Sequence, residues 1–339
     1  MNEGALARGA SNEALVDAAD LPAGDAKARA ALDRYALFEV ATRGHAFDEA
    51  YRLLDAEFGP RGELERREVV ARWLDERADA AQGPGPLSRR YHLIVARDRD
   101  GRIAGMRDCH VVVDPTRAVA VVYLAHALVL DEHRRTGLAT LLRTAPVTLG
   151  RRALAALAAS TGAAAAGARA ELLLAAEMEP IVAGDPASIV RLVAYGRAGF
   201  RAVAPRCLPY CQPDFRDLDA RAPNERDVPR PLPLVAVVRW IGHEDATALP
   251  ARLADAFVRH LYAVFATHCR DVDLAGPRER ALEALRAAGD PVPLLALPAG
   301  TGDTAAITPL TRDEVLRWHA EPLHGSTRDD PKARGDVAP

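Results

Sequence analysis

Ala127-Leu-Val-Leu-Asp-Glu-His-Arg-Arg-Thr-Gly-Leu-Ala-Thr-Leu-Leu-Arg143 is the stretch that decides the fold of this 339-residue chain. It begins with an apolar, strand-like run, continues through a polar patch, and takes up a helical pattern from Gly137. The pattern predicts a strand, a tight turn and the first turn of a helix. Amides at a helix start lack intrahelical acceptors and lie at the positive end of the dipole, so such turns bind phosphate.

The side chains of this turn favour a ligand with more than one phosphate. Arg134 and Arg135 add positive charge to the anion site. Gly137 lets the backbone approach a ligand closely, and Ala139 is small enough to do the same. We therefore predict that a pyrophosphate binds here.

Composition excludes several classes of protein. The net charge of -3 gives no basic footprint for nucleic acid, and the longest apolar runs are strand-length, so we expect neither a nucleic-acid partner nor a membrane span. The N-terminus lacks the pattern of a secretory signal, so we expect a cytoplasmic protein. The few scattered cysteines argue against a disulfide scaffold, and their spacing against a metal site.

The order of predicted elements before the loop favours an antiparallel meander. Three strand candidates follow one another over 91–96, 103–113 and 119–130, and Asp100-Gly101 between the first two is a hairpin signal. A dinucleotide-binding fold would alternate parallel strands with helices from its beginning. This order therefore disfavours that fold.

A second pattern follows the loop. We predict a strand over 171–178 and then a helix that begins near Ser188, a residue that suits an N-cap. The helix ends in Tyr195-Gly-Arg-Ala-Gly-Phe200, and the next strand begins at once with Arg201.

Taken together, the two patterns resemble the GNAT superfamily of N-acyltransferases. Arg134-x-x-Gly137-x-Ala139 is similar to the acyl-CoA pyrophosphate loop of that family, in which Arg or Gln is followed by two residues, Gly, one residue, and Gly or Ala. Tyr195 begins the Tyr, three residues, Gly, Phe pattern that ends the last helix of the family's CoA site. The resemblance covers about residues 34–241.

The resemblance implies an α+β fold with a mixed, mostly antiparallel sheet flanked by helices. Residues 29–243 would form the GNAT-like domain, and 244–320 a smaller, mainly helical C-terminal extension. The composition of residues 1–28 and 321–339 is typical of disordered tails.

The ligand implied by the resemblance is acetyl-CoA or another acyl-CoA, used as a co-substrate without a metal. The strand before the loop would offer backbone groups to the pantetheine arm and would splay from its neighbour to admit the thioester. One departure concerns Ser188, because the family often has Asn there. The residues expected to contact acyl-CoA are Leu128, Val129, Leu130, Arg134, Arg135, Thr136, Gly137, Leu138, Ala139, Thr140, Ser188 and Tyr195.

Acyl transfer to an amine needs a proton acceptor for the amine and a proton donor for the thiolate. Tyr195 stands where the resemblance implies a general acid, or else it packs on CoA without proton transfer. Glu177 and Glu179 share a face of their strand, and the resemblance favours Glu177 as base. Both carboxylates could instead be solvated or bind a cationic substrate. His126 is a further candidate, on the opposite face of its strand from Tyr123, although such a histidine is typically a core residue.

Two functions follow from these residues. The first is an acyl-CoA-dependent N-acyltransferase, most simply an N-acetyltransferase, that moves an acetyl group to a primary amine by direct transfer in a ternary complex. The acceptor would be a small molecule or a protein amine, and a homodimer is compatible with either. The second is a catalytically idle CoA-binding module whose extension binds a partner. Its motivation is the apolar stripe of Leu253, Phe257, Leu261, Val264 and Phe265.

Overall fold

The computed structural model describes residues 15–79, 87–161, 170–214, 221, 223 and 228–320. The strands are β1 (Ala36–Val40), β2 (Ser88–Arg97), β3 (Ile103–Asp114), β4 (Val119–Val129), β5 (Glu171–Met178), β6 (Arg201–Val203), β7 (Cys211–Gln212), β8 (Leu232–Pro233), β9 (Val235–Trp240), β10 (Ala248–Leu249) and β11 (Val292–Ala296).

The α-helices of the described residues flank the strands on both faces. They are α1 (Ala26–Arg34), α2 (His45–Phe58), α3 (Arg67–Asp79), α4 (Leu138–Thr161), α5 (Pro186–Arg197), α6 (Ala251–Phe265), α7 (Asp271–Ala288), α8 (Thr304–Ile307) and α9 (Arg312–Ala320). None of these helices is both long and apolar enough to cross a bilayer.

Nine strands form one mixed sheet in the order β1-β2-β3-β4-β5-β9-β6-β11-β10. The first four strands are an antiparallel meander, β5 is parallel to β4, and the remaining pairings are antiparallel. The α+β class and the mostly antiparallel sheet predicted from the sequence are therefore confirmed.

The two central strands separate partway along their length. β4 pairs with β5 from Val119 opposite Glu171 to Tyr123 opposite Ala175. Beyond Tyr123, β4 continues to Val129 beside β3, whereas β5 continues beside β9. This is the splay that the family resemblance implied, and it opens a gap through the sheet.

A β-bulge lies on the β4 side of the gap. Arg107 pairs with Ala127 and Cys109 with Leu124, so two residues of β4 oppose the single residue Asp108 of β3. The extra residue shifts the alternation of side chains in β4. His126 consequently contacts Asp108 on the face where Tyr123 stacks on His110, which corrects the prediction that His126 and Tyr123 face opposite sides.

Residues 15–28 are part of the fold rather than of a disordered tail. Leu15, Val16 and Leu21 are buried, and Ala28 of α1 packs in the same core as the face of α4. Their apolar side chains are few and spread among Ala, Asp and Gly, so the sequence shows no periodicity there. The remaining tail predictions, over 1–14 and 321–339, lie outside the described residues.

The segment 244–320 does more than add helices. Its strand β11 pairs with β6, and β10 pairs with β11, so the segment continues the main sheet. The side chains of the α6 stripe are buried to 1% exposure or less in the core between α6 and the sheet. The stripe is therefore internal packing, which removes the observation that motivated a partner-binding extension.

Candidate active site

The loop after β4 has the backbone geometry of an anion site. Gly137 has a φ of +93°, and Arg135, with a φ of +60°, also lies in the left-handed region. The amides of Thr140 and Leu141 donate to the Gly137 carbonyl at 3.0 and 3.3 Å. α4 therefore begins at Leu138, and the amides of Leu138 and Ala139 have no acceptor within the helix.

Buried polar contacts hold this loop in place. The Tyr35 hydroxyl lies 3.1 Å from both His133 Nδ1 and Thr136 Oγ1, and Thr136 Oγ1 donates to the His133 carbonyl at 2.7 Å. Because Tyr35 is anchored in the core at the end of α1, the loop is tied to the N-terminal helix as well as to α4.

A cavity of about 290 Å³ lies against the loop. Its lining residues are Asp25, Lys27, Val129, Arg134, Arg135, Gly137, Ala139 and Thr140. Lys27 of α1 adds a cation that the sequence reasoning missed, because residues 1–28 were assigned to a tail. The signal that would have located α1 is Asp25, whose side chain caps the helix by accepting from the Ala28 amide at 2.9 Å.

A larger cavity of about 480 Å³ occupies the gap between β4 and β5 and shares Val129, Arg134 and Ala139 with the loop cavity. Its wall on the α4 and α5 side carries Arg107, Arg143 and Tyr195. Its wall on the opposite side of the sheet carries Glu65, Tyr123, His126 and Glu177. The gap thus joins two arginines and a tyrosine on one face of the sheet to two glutamates, a tyrosine and a histidine on the other.

Glu177, near the end of β5, is held by three donors. Its Oε1 accepts from the Tyr210 hydroxyl, and its Oε2 accepts from the Tyr123 hydroxyl at 2.7 Å and from Gln212 Nε2 at 3.1 Å. Burial raises the pKa of Glu177 to about 7, although the two tyrosine hydrogen bonds oppose the shift. A carboxylate that titrates near neutral pH suits a general base.

Two of the partners of Glu177 come from a part of the chain that carried no predicted function. Tyr210 immediately precedes β7 and Gln212 is the second residue of that strand, and the Tyr262 hydroxyl of α6 donates to the Cys211 carbonyl at 2.6 Å. α6 therefore fixes the segment that surrounds the carboxylate. No local pattern in the sequence links residues so distant along the chain.

Glu179 lies in a different environment from Glu177. β5 ends at Met178, and the exposed Glu179 side chain forms an ion pair with Arg191 of α5 at the mouth of the main cavity. The geometry therefore favours Glu177 over Glu179 as a base.

His126 is a buried cation. Its Nδ1 lies 3.2 Å from both oxygens of Asp108, and its Nε2 lies 2.8 Å from the Glu63 carbonyl. Burial opposes the charged ring, but Asp108 outweighs this and the pKa of His126 rises to about 10. A ring that donates from both nitrogens has no lone pair for a proton, so this geometry does not support His126 as a base.

The His126–Asp108 pair predicts a pH-dependent stability. Because the native pKa lies above the ordinary value of 6.5, the pair stabilises the fold fully below that pH and loses its contribution as the pH rises through about 10. We expect the free energy of unfolding of the wild type to fall between pH 7 and 10.

In the variant His126→Asn, this alkaline decline should be absent, and stability at pH 6 should drop by about 2 kcal/mol or more because Asp108 stays buried without its cation. Urea unfolding of both proteins at pH 6, 8 and 10 measures the effect. Parallel alkaline declines in the two proteins would contradict the assigned ion pair.

Tyr195, in the last turn of α5, packs edge to face on Phe200 with ring centroids 4.9 Å apart. Its hydroxyl accepts from Arg107 Nη2 at 3.4 Å and lines the main cavity. Ser188 lines neither cavity. Its hydroxyl donates to the Asp185 carbonyl at 2.6 Å and accepts from the Val182 amide at 3.2 Å, while Asp185 is the N-cap of α5.

The predicted acyl-CoA contacts divide into two groups. Those that line one or both cavities are Leu128, Val129, Arg134, Arg135, Gly137, Ala139, Thr140 and Tyr195. Those that line neither are Leu130, Thr136, Leu138 and Ser188. Leu138 is fully buried, and Thr136 supports the loop from behind. Within the described ranges, no group of three or more His, Cys, Asp or Glu side chains could hold a metal ion.

Comparisons with known proteins give structural matches only. No protein-family model matches the chain, and no curated protein does. A glucosamine N-acetyltransferase region of a fungal multi-domain β-N-acetylglucosaminidase shares 17% identity over 49% of this chain, with a TM-score of 0.31. The match spans 17% of that longer chain.

Two further matches cover nearly the whole of the other protein. A GNAT-family acetyltransferase from Staphylococcus aureus Mu50 shares 10% identity over 61% of this chain and 99% of its own, with a TM-score of 0.30. A spermidine N-acetyltransferase from Vibrio cholerae, solved with CoA and spermine, shares 12% identity over 62% of this chain and 98% of its own, with a TM-score of 0.29.

Proposed function

We propose that this protein is an acyl-CoA-dependent N-acyltransferase that transfers an acyl group to a primary amine by direct attack in a ternary complex. The observation that carries the proposal is the gap between β4 and β5. The loop before α4 and the Tyr195 phenol lie on one side of the gap, and the Glu177 carboxylate, whose pKa is about 7, lies on the other.

The donor would lie along the α4 face of the sheet. Its diphosphate would meet the amides at the start of α4, together with Arg135 and Lys27. Its pantetheine arm would follow β4 past Val129, which lines both cavities. This course would bring the thioester into the gap, beside Tyr195.

The acceptor would enter from the opposite face. The wall there carries Glu57, Glu63 and Glu65 besides Glu177. Arg61 on the same wall pairs with Glu57 and Glu63, but the carboxylates outnumber it, and this excess of negative charge suits an amine, which is cationic in water. Glu177 would remove a proton from the amine, whose nitrogen then attacks the thioester carbonyl carbon. The carbon–sulfur bond breaks, and Tyr195 would give a proton to the departing thiolate.

The activity is tested by incubating the full chain with acetyl-CoA and a panel of amines while free thiol is measured and the acylated product is identified by mass. Amine-dependent thiol release supports the proposal. Acyl-CoA binding without thiol release from any amine would favour the idle binding module instead.

Tyr195→Phe tests the acid. Loss of the hydroxyl should lower kcat by about 10²-fold or more, and the KM for acyl-CoA should change by less than about threefold, because the ring still packs on Phe200. Steady-state kinetics with the responsive amine, with circular dichroism as the folding control, measures both constants. A wild-type kcat would exclude the phenol as the proton donor.

A further inference from the structure

Arg107 is a buried cation in the wall of the main cavity. The residue is 2% exposed, and its Nε and Nη1 have no hydrogen-bond partner. Its Nη2 reaches the Tyr195 hydroxyl at 3.4 Å, which is a long contact. A guanidinium keeps its charge at any physiological pH, and a buried charge without a counter-ion is strongly unfavourable. The site is therefore electrostatically incomplete.

A second guanidinium faces the same space. Arg143 follows Ala139 by one turn of α4, and both line the main cavity. Its Nη2 donates to Thr140 Oγ1 at 3.3 Å. Burial, and then the positive charge of Arg107, lowers the pKa of Arg143.

The described residues supply no counter-ion for this pair. Neither Arg107 nor Arg143 forms an ion pair with any carboxylate of the described residues. Asp25, which acts on Arg143 through space, already accepts from the Ala28 amide and from the Thr140 hydroxyl. The acidic side chains of the main cavity line its opposite wall or mouth.

If acyl-CoA binds as in the proposed function, the positions of Arg107 and Arg143 determine which part of the acyl-CoA molecule lies beside them. This step rests on the proposed function. The phosphates of CoA lie at its nucleotide end, which the loop cavity would hold. Arg107 lies at the other end, beside the phenol assigned to the sulfur. The thioester itself is neutral, so in the bound, unreacted donor an anion at that end would belong to the acyl group.

We propose that Arg107 and Arg143 bind a carboxylate at the far end of the acyl group, so that the preferred donor is the CoA thioester of a short dicarboxylic acid, such as a succinyl or malonyl thioester. The planar guanidinium matches a carboxylate in geometry as well as charge. The transfer itself is unchanged: the amine nitrogen bonds to the thioester carbon, the carbon–sulfur bond breaks, and the terminal carboxylate takes no part.

The test compares succinyl-CoA with butyryl-CoA, which differ in a terminal carboxylate against a methyl group at equal chain length. Calorimetric titration of the full chain should give a dissociation constant for succinyl-CoA about tenfold or more below that for butyryl-CoA. Arg107→Met should reduce this preference to about threefold or less, with butyryl-CoA affinity retained. Arg152→Met, an exposed residue of the same helix as Arg143, should keep the preference.

Three outcomes would overturn the subsite. They are equal affinities of the wild type for the two donors, an equal loss for both donors in Arg107→Met, and a preference that survives the substitution. If Arg107→Met does not fold, as judged by circular dichroism, Arg143→Gln and Arg107→Lys replace it and should narrow the preference. If the protein binds succinyl-CoA more tightly than butyryl-CoA but releases no thiol with any amine, the proposed function is contradicted and the carboxylate subsite is supported.

Discussion

Glu177→Gln is expected to lower kcat/KM for the amine by about 10²- to 10⁴-fold, the range found when a general base is removed. Glutamine is nearly isosteric: its carbonyl oxygen can still accept from Tyr123 and Gln212, and its NH2 group can donate to the Tyr210 hydroxyl oxygen, so the pocket should keep its shape. Acyl-CoA affinity should be preserved, because the donor would lie on the other face of the sheet. Kinetics under saturating acyl-CoA, together with calorimetric titration of acyl-CoA, separates the two effects.

The pH dependence of kcat/KM is a second test of Glu177 as the general base. Burial raises the pKa of Glu177 to about 7, and only the deprotonated carboxylate accepts a proton. Wild-type kcat/KM should therefore be low in acid, increase as the pH passes through about 7, and level off above it. In Glu177→Gln this limb should disappear. Glu171→Gln, at the opposite end of β5, is the matched control and should keep both the rate and the limb. A wild-type profile in Glu177→Gln would rule out the carboxylate as the base.

The raised pKa of Glu177 also makes the stability of the protein depend on pH. A carboxyl group whose native pKa lies above its ordinary value of 4.5 binds its proton more tightly in the folded state, so its contribution becomes unfavourable as the pH rises from about 4.5 to 7. Glu177→Gln should therefore be more stable than the wild type at pH 8, with the difference disappearing at pH 4.5. Urea unfolding at the two pH values measures this difference.

Gly137→Ala should both destabilise the fold and disable the loop. A Cβ at this position would lie 2.3 Å from the Lys27 carbonyl oxygen, and the φ of +93° is unfavourable for alanine. We expect a loss of about 3 kcal/mol or more in the free energy of unfolding. Because α1 must move away from the loop, acyl-CoA affinity should fall by about a hundredfold, a loss of nearly 3 kcal/mol in binding.

Gly184→Ala is the matched control for backbone strain. Its φ of +80° is similar, but a Cβ there meets no atom within 4 Å, so alanine should cost only about 1 kcal/mol. The difference between the two variants measures the close approach of α1. Gly137→Glu, which also adds a negative charge where the diphosphate is expected, should abolish detectable binding. Unchanged affinity in both Gly137 variants would refute the loop assignment.

Short-range patterns account for the elements around the candidate site that the sequence predicted. The strand, turn and helix around Gly137, and the helix that ends at Tyr195, are specified by neighbouring residues, and both line the cavities. The splay of β4 from β5 followed from the resemblance alone. The bulge opposite Asp108 could not be predicted, because strand alternation by itself gives no sign of an inserted residue.

Long-range contacts account for what was missed. Tyr210 and Gln212 meet Glu177 through β7, whose position depends on α6. Arg107 looks in sequence like an ordinary polar residue of a strand, and only the absence of a counter-ion among the described residues makes it informative. α1 was overlooked because a few separated apolar side chains anchor it.

The hydrogen bond from Tyr262 to the Cys211 carbonyl has a consequence for biosynthesis. A ribosome that has reached Ile241 has already made the whole donor side, from Lys27 to Tyr195, but not the helix that braces the residues around the carboxylate. The surroundings of Glu177 can therefore be completed only after α6 has been made, later than every residue of the loop after β4 and of α5.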